Sequence, residues 1–591
     1  MNKKLYFGTL VFFSIGLFVY LSHIESTDDQ IHKHHTTHHP TIKISMESKN
    51  NRVLLVDILT KSNNKRYTEA KLNHIQSTYL SLRKSGKLMG RSWGTYGDWK
   101  HQIEIALEKI RSTNPRAFEM ADSVVLCQAY RFKTAKKSTS LKKWNIYRGV
   151  RGIYVQHKQQ ETRACPTYMI ASNQSFNHIV KKFIQQNHLH DVVFNERKVD
   201  AKLEIQHFSA IQSFIDLNTK TMTPMFRGGE IVSLASVTQA GVDQFASHMA
   251  SWLFNNTDDA SGKINYKYFP SRNSDSNSNN MIRQFMANIA LNRWANSKND
   301  EELKEIAARA LAYNLSSFYK KTDEIGVIEF RNKRKLGAAA LAALAIFESQ
   351  YRKSFESEEQ ALQNALLKQW DENGKFRTFI SSNRDDNHNF YPGETLYYWS
   401  FLLKEKLDTK LLSKFMKSFE FYRAWHLENR NPAFIPWHTQ AYYNVWTLTK
   451  NKELADFIFV MNDWLIKEMQ RPKSKERYQD TFGRFFKPGS KFGPPHASST
   501  GVYLEGLSDA LLLAKALKDH KRERMYVRAI KRGLRSAMQL QFKNHIDSYY
   551  ISNKKKVMGG LKTTVYDNVI RVDNIQHTLL GTMKILTQGM L

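Results

Sequence analysis

Apolar residues recur at helical spacing through the C-terminal part of the chain, from about residue 239 onward. Spacings of three and four residues between apolar positions are typical of amphipathic helices, whereas strands alternate every second residue. Short polar or Gly- and Pro-containing breaks separate the segments. The pattern predicts twelve helices, or six pairs, near residues 239–254, 281–297, 301–321, 335–350, 358–371, 392–405, 409–428, 437–450, 452–470, 499–517, 519–541 and 570–588.

Two compositions alternate among these predicted helices. One group is rich in Ala, Gly, Leu and aromatic residues and comprises the helices that start near 335, 392, 437 and 499. The other is rich in Lys, Glu and Arg and comprises the helices that start near 301, 358, 409 and 519. A helix that is apolar on most sides requires burial, whereas one with a single apolar stripe belongs at the surface. The alternation therefore predicts concentric inner and outer rings of helices.

The preceding residues, about 52–235, have a mixed pattern. Apolar spacing is helical from Val53 to Arg83, from Trp99 to Ile110 and again over residues 173–189. Runs of β-branched and aromatic residues predict strands, and these runs are SVVLCQAYRF, YRGVRGIYVQH, CPTYMIAS and LEIQHFSAI. We expect residues 52–235 to form an α/β domain.

An uncharged apolar run, residues 5–21, follows Lys3 and Lys4. Its length is near the lower limit of the roughly 17–25 residues that a spanning helix needs. Basic residues before the run and acidic ones after it predict a cytoplasmic N-terminus and export of the rest. Because no small-residue cleavage pattern follows, we expect residues 1–22 to be a retained, single-pass anchor in the inner (cytoplasmic) membrane of a bacterial-type envelope. The histidine-rich residues 23–51 are interpreted as a polar tether, with the bulk of the chain periplasmic.

The 591-residue chain is strongly basic, with a formal net charge of +33. A surface of that charge attracts polyanions, which include nucleic acid, anionic lipid and acidic polysaccharide. Export argues against nucleic acid, and zinc-finger spacing, RNP-like motifs and a basic zipper are missing from the sequence. We expect an acidic polysaccharide and the membrane as partners, and no nucleic acid.

The sequence predicts no cofactor and no metal. GxGxxG, GxxxxGK[ST] and GxSxG motifs are absent, which argues against nucleotide-driven chemistry. Asp385, Asp386 and His388 could hold calcium, but a simple turn is favoured. Cys127 and Cys165 are the two cysteines, and either a disulfide or two buried thiols is compatible with their positions.

Two sequence runs stand at the starts of apolar helices, YPGETLYYW at residues 391–399 and GVYLEGL at 501–507. With the six helix pairs, these runs make residues from about 236 to 591 resemble the (α/α)6 toroid of the six-hairpin glycosidase-like superfamily. Its members include glycoside hydrolases, polysaccharide lyases and, more distantly similar here, the C-terminal domain of D-glucuronyl C5-epimerases. The resemblance implies a mainly α chain in which a C-terminal toroid follows the smaller α/β domain and the transmembrane anchor. It carries over no catalytic residue.

In such toroids the inner helices enter from one face, so side chains at their N-terminal ends converge on a single funnel. This region of the chain is rich in groups that glycan chemistry needs, namely aromatic rings, arginines that pair with carboxylates, and acids and histidines that transfer protons. The catalytic candidates are Glu394, Glu505, His438, His577 and Asp573. The substrate-binding candidates are Arg571, Trp437, Tyr503, Tyr391, Gln440, His496 and Arg283.

Each catalytic candidate also has a structural alternative. Glu394 lies in a first helical turn, where it could act as a cap, whereas Glu505 lies inside an apolar helix and needs a partner. His438 could be a core histidine among aromatic residues. Asp573 and His577 are spaced i, i+4, so they share a helix face on which the carboxylate could orient the imidazole. A structural ion-pair network would have the same spacing.

Three classes of function are compatible with these features. The first is an enzyme that acts on an acidic extracellular or capsular polysaccharide by epimerisation, elimination or hydrolysis. Proton abstraction beside a uronate carboxylate would use Arg571 with His577 or His438, whereas hydrolysis needs two carboxylates, for which Glu394 and Glu505 are the candidates. The second is a non-catalytic polysaccharide-binding component of an envelope biosynthesis or export complex, and the third is a basic scaffold at the membrane surface. The positive charge favours an anionic substrate and uronate chemistry.

Overall fold

The computed structural model describes residues 42–43, 74–136, 138–489, 491–492 and 494–590. The predicted anchor, residues 1–22, lies outside the described residues, as does the predicted tether apart from positions 42 and 43. Across the part of the chain that the structure describes, none of the helices is both long and apolar enough to cross a membrane.

The N-terminal described region is built around a curved antiparallel sheet. Its strands are β1 (Ile42–Lys43), β2 (Ser77–Lys84), β3 (Lys87–Gly94), β4 (Ser123–Thr134), β5 (Arg151–His157), β6 (Gln160–Ala164), β7 (Glu204–Asp216) and β8 (Thr221–Met225). They pair in the order β1-β8-β7-β4-β2-β3, and the long β7 also pairs with β5, whose other partner is β6. Strands β3 and β6 are therefore edges of the sheet.

Four helices accompany this sheet: α1 (Trp99–Thr113), α2 (Ala117–Met120), α3 (Pro166–Ala171) and α4 (Phe176–Gln186). The helical predictions for α1 and α4 are confirmed. Both begin at a side chain that accepts hydrogen bonds from first-turn N–H groups, Asp98 for α1 and Ser175 for α4. Such caps satisfy donors that have no partner within the helix.

Two local predictions are wrong. The helix predicted from Val53 to Arg83 is wrong where the structure describes it, since residues 77–83 belong to strand β2, and residues 53–73 lie outside the described residues. Strand β2 pairs with β3 on one side and β4 on the other, and this pairing overrides local spacing. The CPTYMIAS run is helix α3 rather than a strand. Pro166 occupies its first turn, where a missing N–H costs nothing, and the Cys165 sulfur accepts a hydrogen bond from the Tyr168 N–H.

The two cysteines lie together within the sheet domain. Cys127 on β4 and Cys165 before α3 are buried free thiols in a small cluster with Tyr79. Burial raises the pKa of the Cys127 thiol, which keeps it protonated.

The helical region spans residues 239–587, described apart from 490 and 493, and contains the twelve long helices that the sequence predicts. They are α5 (Gln239–Asn255), α6 (Met281–Lys298), α7 (Glu301–Phe318), α8 (Leu336–Phe347), α9 (Glu356–Lys368), α10 (Tyr391–Glu405), α11 (Thr409–Glu428), α12 (Ile435–Thr449), α13 (Lys452–Met469), α14 (Ala497–Ala516), α15 (His520–Met538) and α16 (Val572–Thr587).

These helices form two concentric rings, of which the inner one is closed. The even-numbered helices α6 to α16 make the inner ring, in which each packs on the next and α16 packs on α6. The odd-numbered helices lie outside, each against an inner helix. Apolar α8 is almost wholly buried, whereas α15 has exposed basic residues at Lys521, Arg524 and Arg528. The alternating compositions predict the two rings, and the closed inner ring is that of the (α/α)6 toroid which the resemblance implies.

Short strands occupy the connections between toroid helices. One small sheet contains β9 (Lys267–Phe269), β10 (Ser274–Asp275), β14 (Lys562–Thr564) and β15 (Asp567–Arg571). Another contains β11 (Tyr319–Thr322), β12 (Ile325–Phe330) and β13 (Lys333–Arg334). Strand β15 leads directly into α16, which brings Arg571 to the mouth of the inner ring.

Buried polar contacts join the sheet domain to the toroid. The Arg227 guanidinium pairs with the Asp480 carboxylate at 2.5 Å, and both side chains are only 2% exposed. Asn568 on β15 donates a hydrogen bond to the Ile170 carbonyl of α3 at 2.8 Å. Because unpaired buried groups of this kind are costly, these contacts hold the two regions in a defined arrangement.

Candidate functional site

A cavity of about 520 Å³ opens where the N-terminal ends of the inner helices meet. All six inner helices, or the residues just before them, contribute to its wall. The candidate residues that line it are Arg283, Tyr391, Glu394, Trp437, His496, Tyr503, Arg571, Asp573 and His577. The funnel expected from the toroid geometry therefore exists, and it gathers most of the nominated side chains.

Glu394 lies in the first turn of α10 and has a buried carboxyl group. Burial raises its pKa from the ordinary value of 4.5 to about 8, although the nearby Lys335 charge acts in the opposite direction. The carboxyl group fits beside α8 because Gly337 has no side chain there; a Cβ at Gly337 would lie 1.7 Å from Glu394 Oε2. At neutral pH this acid therefore holds its proton, so it can donate one.

His577 on α16 is oriented by Glu505 on the neighbouring inner helix α14. The His577 Nδ1 and Glu505 Oε1 atoms lie 2.8 Å apart, and the Glu505 side chain is fully buried. The helices approach closely because Gly501 faces α16; a Cβ on it would lie 2.5 Å from the Thr578 backbone nitrogen. A carboxylate at Nδ1 favours the tautomer in which Nε2 can accept a proton. The pair is thus arranged as a general base.

The i, i+4 spacing of Asp573 and His577 is compatible with orientation of the imidazole or with a structural ion-pair network, and the structure shows the ion-pair network. Two arginines hold the Asp573 carboxylate: Arg571 Nε donates to Oδ1 at 2.9 Å, and Arg283 Nε lies 3.1 Å from Oδ2. Burial alone would raise the pKa of Asp573, but the two positive charges outweigh it and hold the pKa below the ordinary value. Asp573 is therefore an anion bound within a cationic cluster, and the imidazole takes Glu505 as its partner.

Two candidates, His438 and Gln440, lie in the packed interior of the toroid. The His438 ring stacks on Phe434 with centroids 3.5 Å apart, and its Nδ1 lies 2.9 Å from the Phe434 carbonyl oxygen. Burial lowers its pKa to about 3. The Gln440 Oε1 accepts a hydrogen bond from the partly buried Lys584 ammonium group at 2.7 Å. The predicted roles of both residues in the funnel are therefore withdrawn.

Aromatic and histidine side chains complete the wall. Trp437 meets the His577 ring edge to face, with centroids 5.8 Å apart. Tyr391 and Tyr503 also line the cavity, and burial raises the pKa of both phenols. Burial lowers the pKa of His496, so its imidazole is neutral at neutral pH. Flat apolar faces beside polar groups are suited to a ligand that has both.

Lys335 and Gln576 are among the polar lining residues that the sequence did not predict. Lys335 occupies the N-cap position of α8, a helix whose own residues are almost all apolar and so offered no candidate. Applying the rule of inner-helix starts to α8 would have found it. Gln576 was not nominated either, yet it lines the cavity, and neither its amide oxygen nor its nitrogen has a hydrogen-bond partner among the described residues. Gln576 is therefore a fully buried amide, and neither of its polar atoms is satisfied by the described residues.

The loop before α10 has the contacts of a turn. Asp385 pairs with Lys375 at 2.5 Å and with His388 at 2.9 Å, and Asp386 pairs with Arg384. Within the described residues, no group of three or more His, Cys, Asp or Glu side chains is placed to hold a metal ion. The acids of this loop are engaged by neighbouring cations.

No protein-family model matches the chain, and no curated protein matches its sequence significantly. Among solved structures, a D-mannose isomerase is similar at 12% identity and a TM-score of 0.46, covering 59% of this chain and 98% of that one. An unsaturated glucuronyl hydrolase specific for heparin is similar at 12% identity and a TM-score of 0.43, with coverage of 59% and 98%.

A family 76 glycoside hydrolase from a bovine Bacteroides thetaiotaomicron strain is similar at 11% identity and a TM-score of 0.44, covering 79% of this chain and 96% of that one. Similarities this low carry no residue roles across. These comparisons give no link to D-glucuronyl C5-epimerases, and the six-hairpin fold of this chain is established by its own closed ring of inner helices.

Proposed function

We propose that this protein is a glycan-active enzyme that transfers protons at a sugar held in the toroid cavity. One observation carries the proposal: the same cavity is lined by Glu394, a buried acid that keeps its proton, and by His577, an imidazole oriented by Glu505. A proton donor and a proton acceptor in one cleft are the minimum that acid–base catalysis requires.

The positions of these groups favour proton transfer at carbon over hydrolysis by two carboxylates. Glu394 and His577 project from α10 and α16, which lie on opposite sides of the six-membered inner ring. Hydrolysis needs two carboxyl groups about 5 to 9.5 Å apart across the scissile bond. Glu505 does not line the cavity but pairs with His577, which does. The Asp573 carboxylate is bound by two arginines.

The proposed substrate is a uronate residue of an acidic polysaccharide. His577 Nε2 removes the proton from the carbon next to the uronate carboxylate, and the electron pair moves into that carboxylate. If Glu394 returns a proton to the opposite face of that carbon, the sugar is epimerised. If Glu394 instead protonates the departing glycosidic oxygen, the carbon–oxygen bond breaks and an unsaturated sugar forms. The structure supports the two proton positions that both reactions share.

The charges around the cavity support an anionic substrate. Lys335, Arg283 and Arg571 line the wall, where Asp573 is the ionised acid and Glu394 is neutral at neutral pH. Arginine and lysine attract the uronate carboxylate, and the same charges stabilise the negative charge that develops there after proton removal. A neutral sugar would gain neither effect.

The test is proton exchange and turnover by the full-length protein in deuterated water, with uronate oligosaccharides as substrates. We expect deuterium at the carbon next to the carboxylate, or an unsaturated product that absorbs in the ultraviolet. Glu394→Gln and His577→Gln should each reduce the rate by at least about a hundredfold. Matched controls are Glu428→Gln and His520→Gln, at exposed positions on the outer helices α11 and α15, which should retain the wild-type rate.

Binding without deuterium exchange, bond cleavage or any effect of the cavity variants would refute the enzymatic proposal. The alternative would then be a non-catalytic component that holds polysaccharide. New reducing ends without an unsaturated product would instead indicate hydrolysis, which would contradict the assigned reaction but not the assigned cavity.

We also propose that residues 1–22 anchor the protein in the inner membrane, with the toroid outside the cytoplasm. The uncharged run at 5–21 and the preceding lysines support this. Alkaline carbonate washing should leave the protein in the membrane fraction, and a protease added to spheroplasts should digest it. Release by carbonate, or protection from the protease, would refute the placement.

A further inference from the structure

The sheet domain contains a second groove, distinct from the toroid cavity. It has a volume of about 510 Å³ and lies between two sheet edges, since both β3 and β6 contribute to its wall. Helices α1, α3 and α4 supply most of the remaining side chains, and strand β2 and the loops after β3 and α3 supply the others. Edge strands expose backbone groups and attract other chains unless something covers or repels them. The side chains around the groove indicate what it attracts.

The groove is strongly cationic. Its wall contains Arg91, Lys109, Arg163 and Lys182, against a single acid, Glu161. Glu161 already accepts a hydrogen bond from the Tyr154 hydroxyl at 2.7 Å, and its carboxylate lies 3.4 Å from Arg163. Most of the positive charge is therefore uncompensated within the groove, and it favours a ligand that carries several negative charges.

Aromatic faces lie among these cations. Tyr96, just beyond edge strand β3, is 75% exposed at the rim of the groove. Trp93 lies on β3, and its ring centroid is 5.2 Å from that of Tyr79. Arg91 lies over the Tyr168 ring at 4.3 Å, which fixes the direction of its guanidinium. Rings held in this way offer flat apolar surfaces to the hydrophobic faces of sugars, while the cations reach outward.

We propose that this groove binds a chain of uronate sugars. Such a polymer places one carboxylate on each sugar and presents apolar ring faces between them, which matches cations interleaved with aromatic rings. An added peptide strand could pair with the two sheet edges, but pairing of backbone groups alone does not use four cations. The site is separate from the proton-transferring groups, so it stands whether or not the toroid cavity is catalytic.

The groove is also connected physically to the toroid. Tyr168 in α3 lines the groove, and the carbonyl of Ile170 in the same helix accepts a hydrogen bond from Asn568 on β15. Strand β15 ends at Arg571, which lines the toroid cavity. The groove is therefore linked through α3 to strand β15, which carries a cavity arginine. Such a position suits a binding site for the part of the polymer that is not reacting.

The test measures binding of oligogalacturonate to the full-length protein in detergent by calorimetry, with the methyl ester of the same oligomer as the uncharged control. The double variant Lys109→Glu, Lys182→Glu should bind the acid at least about tenfold more weakly, since two charge-assisted contacts are removed. The matched control is Arg111→Glu, Lys181→Glu, which reverses two exposed charges on the same helices outside the groove. It should change the affinity less than about threefold, because exposed charges that do not line the groove contribute little.

Each outcome decides one point. Equal weakening in both double variants would mean attraction by net charge alone and would overturn the site, as would equal binding of the methyl ester. Equal binding of polyglutamate with the same variant dependence would assign the groove to acidic polypeptides instead. Cavity variants such as Glu394→Gln should retain the groove affinity, so loss of turnover and loss of this binding are separate results.

Discussion

Replacing Glu394 by Gln should make the stability of the toroid less sensitive to alkaline pH. The glutamine side chain keeps nearly the same shape beside Gly337 but cannot ionise. In the wild type the carboxyl group has a pKa of about 8 because it is buried, compared with its ordinary value of 4.5. Between these two values the folded protein holds a proton that the unfolded chain releases.

The sign and size follow from proton linkage. A state that binds more protons is favoured at low pH, so the contribution of Glu394 to the free energy of unfolding falls as pH rises from 4.5 to about 8. Each pH unit of increase in that window lowers the free energy of unfolding by about 1.4 kcal/mol. Between about pH 5.5 and 8, wild type should therefore lose about 3 kcal/mol relative to Glu394→Gln.

The assay is urea unfolding of both proteins across this pH range, followed by tryptophan fluorescence. Because every other titrating group is common to both, the difference between the two free energies isolates Glu394. Glu428→Gln, at an exposed position on α11, should follow the wild type at every pH. A difference between wild type and Glu394→Gln that stays constant with pH would refute the conclusion that Glu394 holds a proton at neutral pH.

Further predictions concern residues around and away from the cavity. Gly337→Ala should lower turnover more than tenfold with little change in the fold, since its Cβ would collide with the Glu394 carboxyl group; steady-state kinetics test this, and unchanged rates would contradict it. Arg227→Met should destabilise the protein by about 3 to 5 kcal/mol in urea unfolding, because it leaves the buried Asp480 carboxylate unpaired; a loss below 1 kcal/mol would contradict it. Burial lowers the pKa of His438 to about 3. On acidification this imidazole therefore binds a proton at a higher pH in the unfolded chain than in the folded protein. As the pH falls from 6.5 to about 5, protonation of this histidine in the unfolded chain should lower the free energy of unfolding by about 2 kcal/mol. His438→Leu should abolish that loss.

The ring of helices was predictable because the burial of a helix is encoded in its own periodicity. Helix α8 is apolar on all sides and becomes an inner helix, whereas α15 has one apolar stripe and becomes an outer one. The rule that functional side chains stand at inner-helix starts also follows from this ring, and it led to Glu394, Trp437 and His577.

Predictions failed where a long-range contact decided the outcome. Strand β2 has helical spacing locally, but the ladder it forms with β4 determines its structure. His438 follows Trp437 directly, yet consecutive residues point about 100° apart around a helix, so one side chain faces the cavity and the other faces the core. The local sequence did not indicate which of these two side chains would line the cavity.

Sequence alone therefore determined the helices, their division into two rings and the end of the ring at which the candidate site lies. Only the tertiary structure decided the chemistry of that site: the partnership of His577 with Glu505, which is 72 positions away, the capture of Asp573 by two arginines, and the proton on Glu394. The physical reason is that periodicity is a local property of the chain. Partners and pKa values depend on burial and on charges that distant segments bring together.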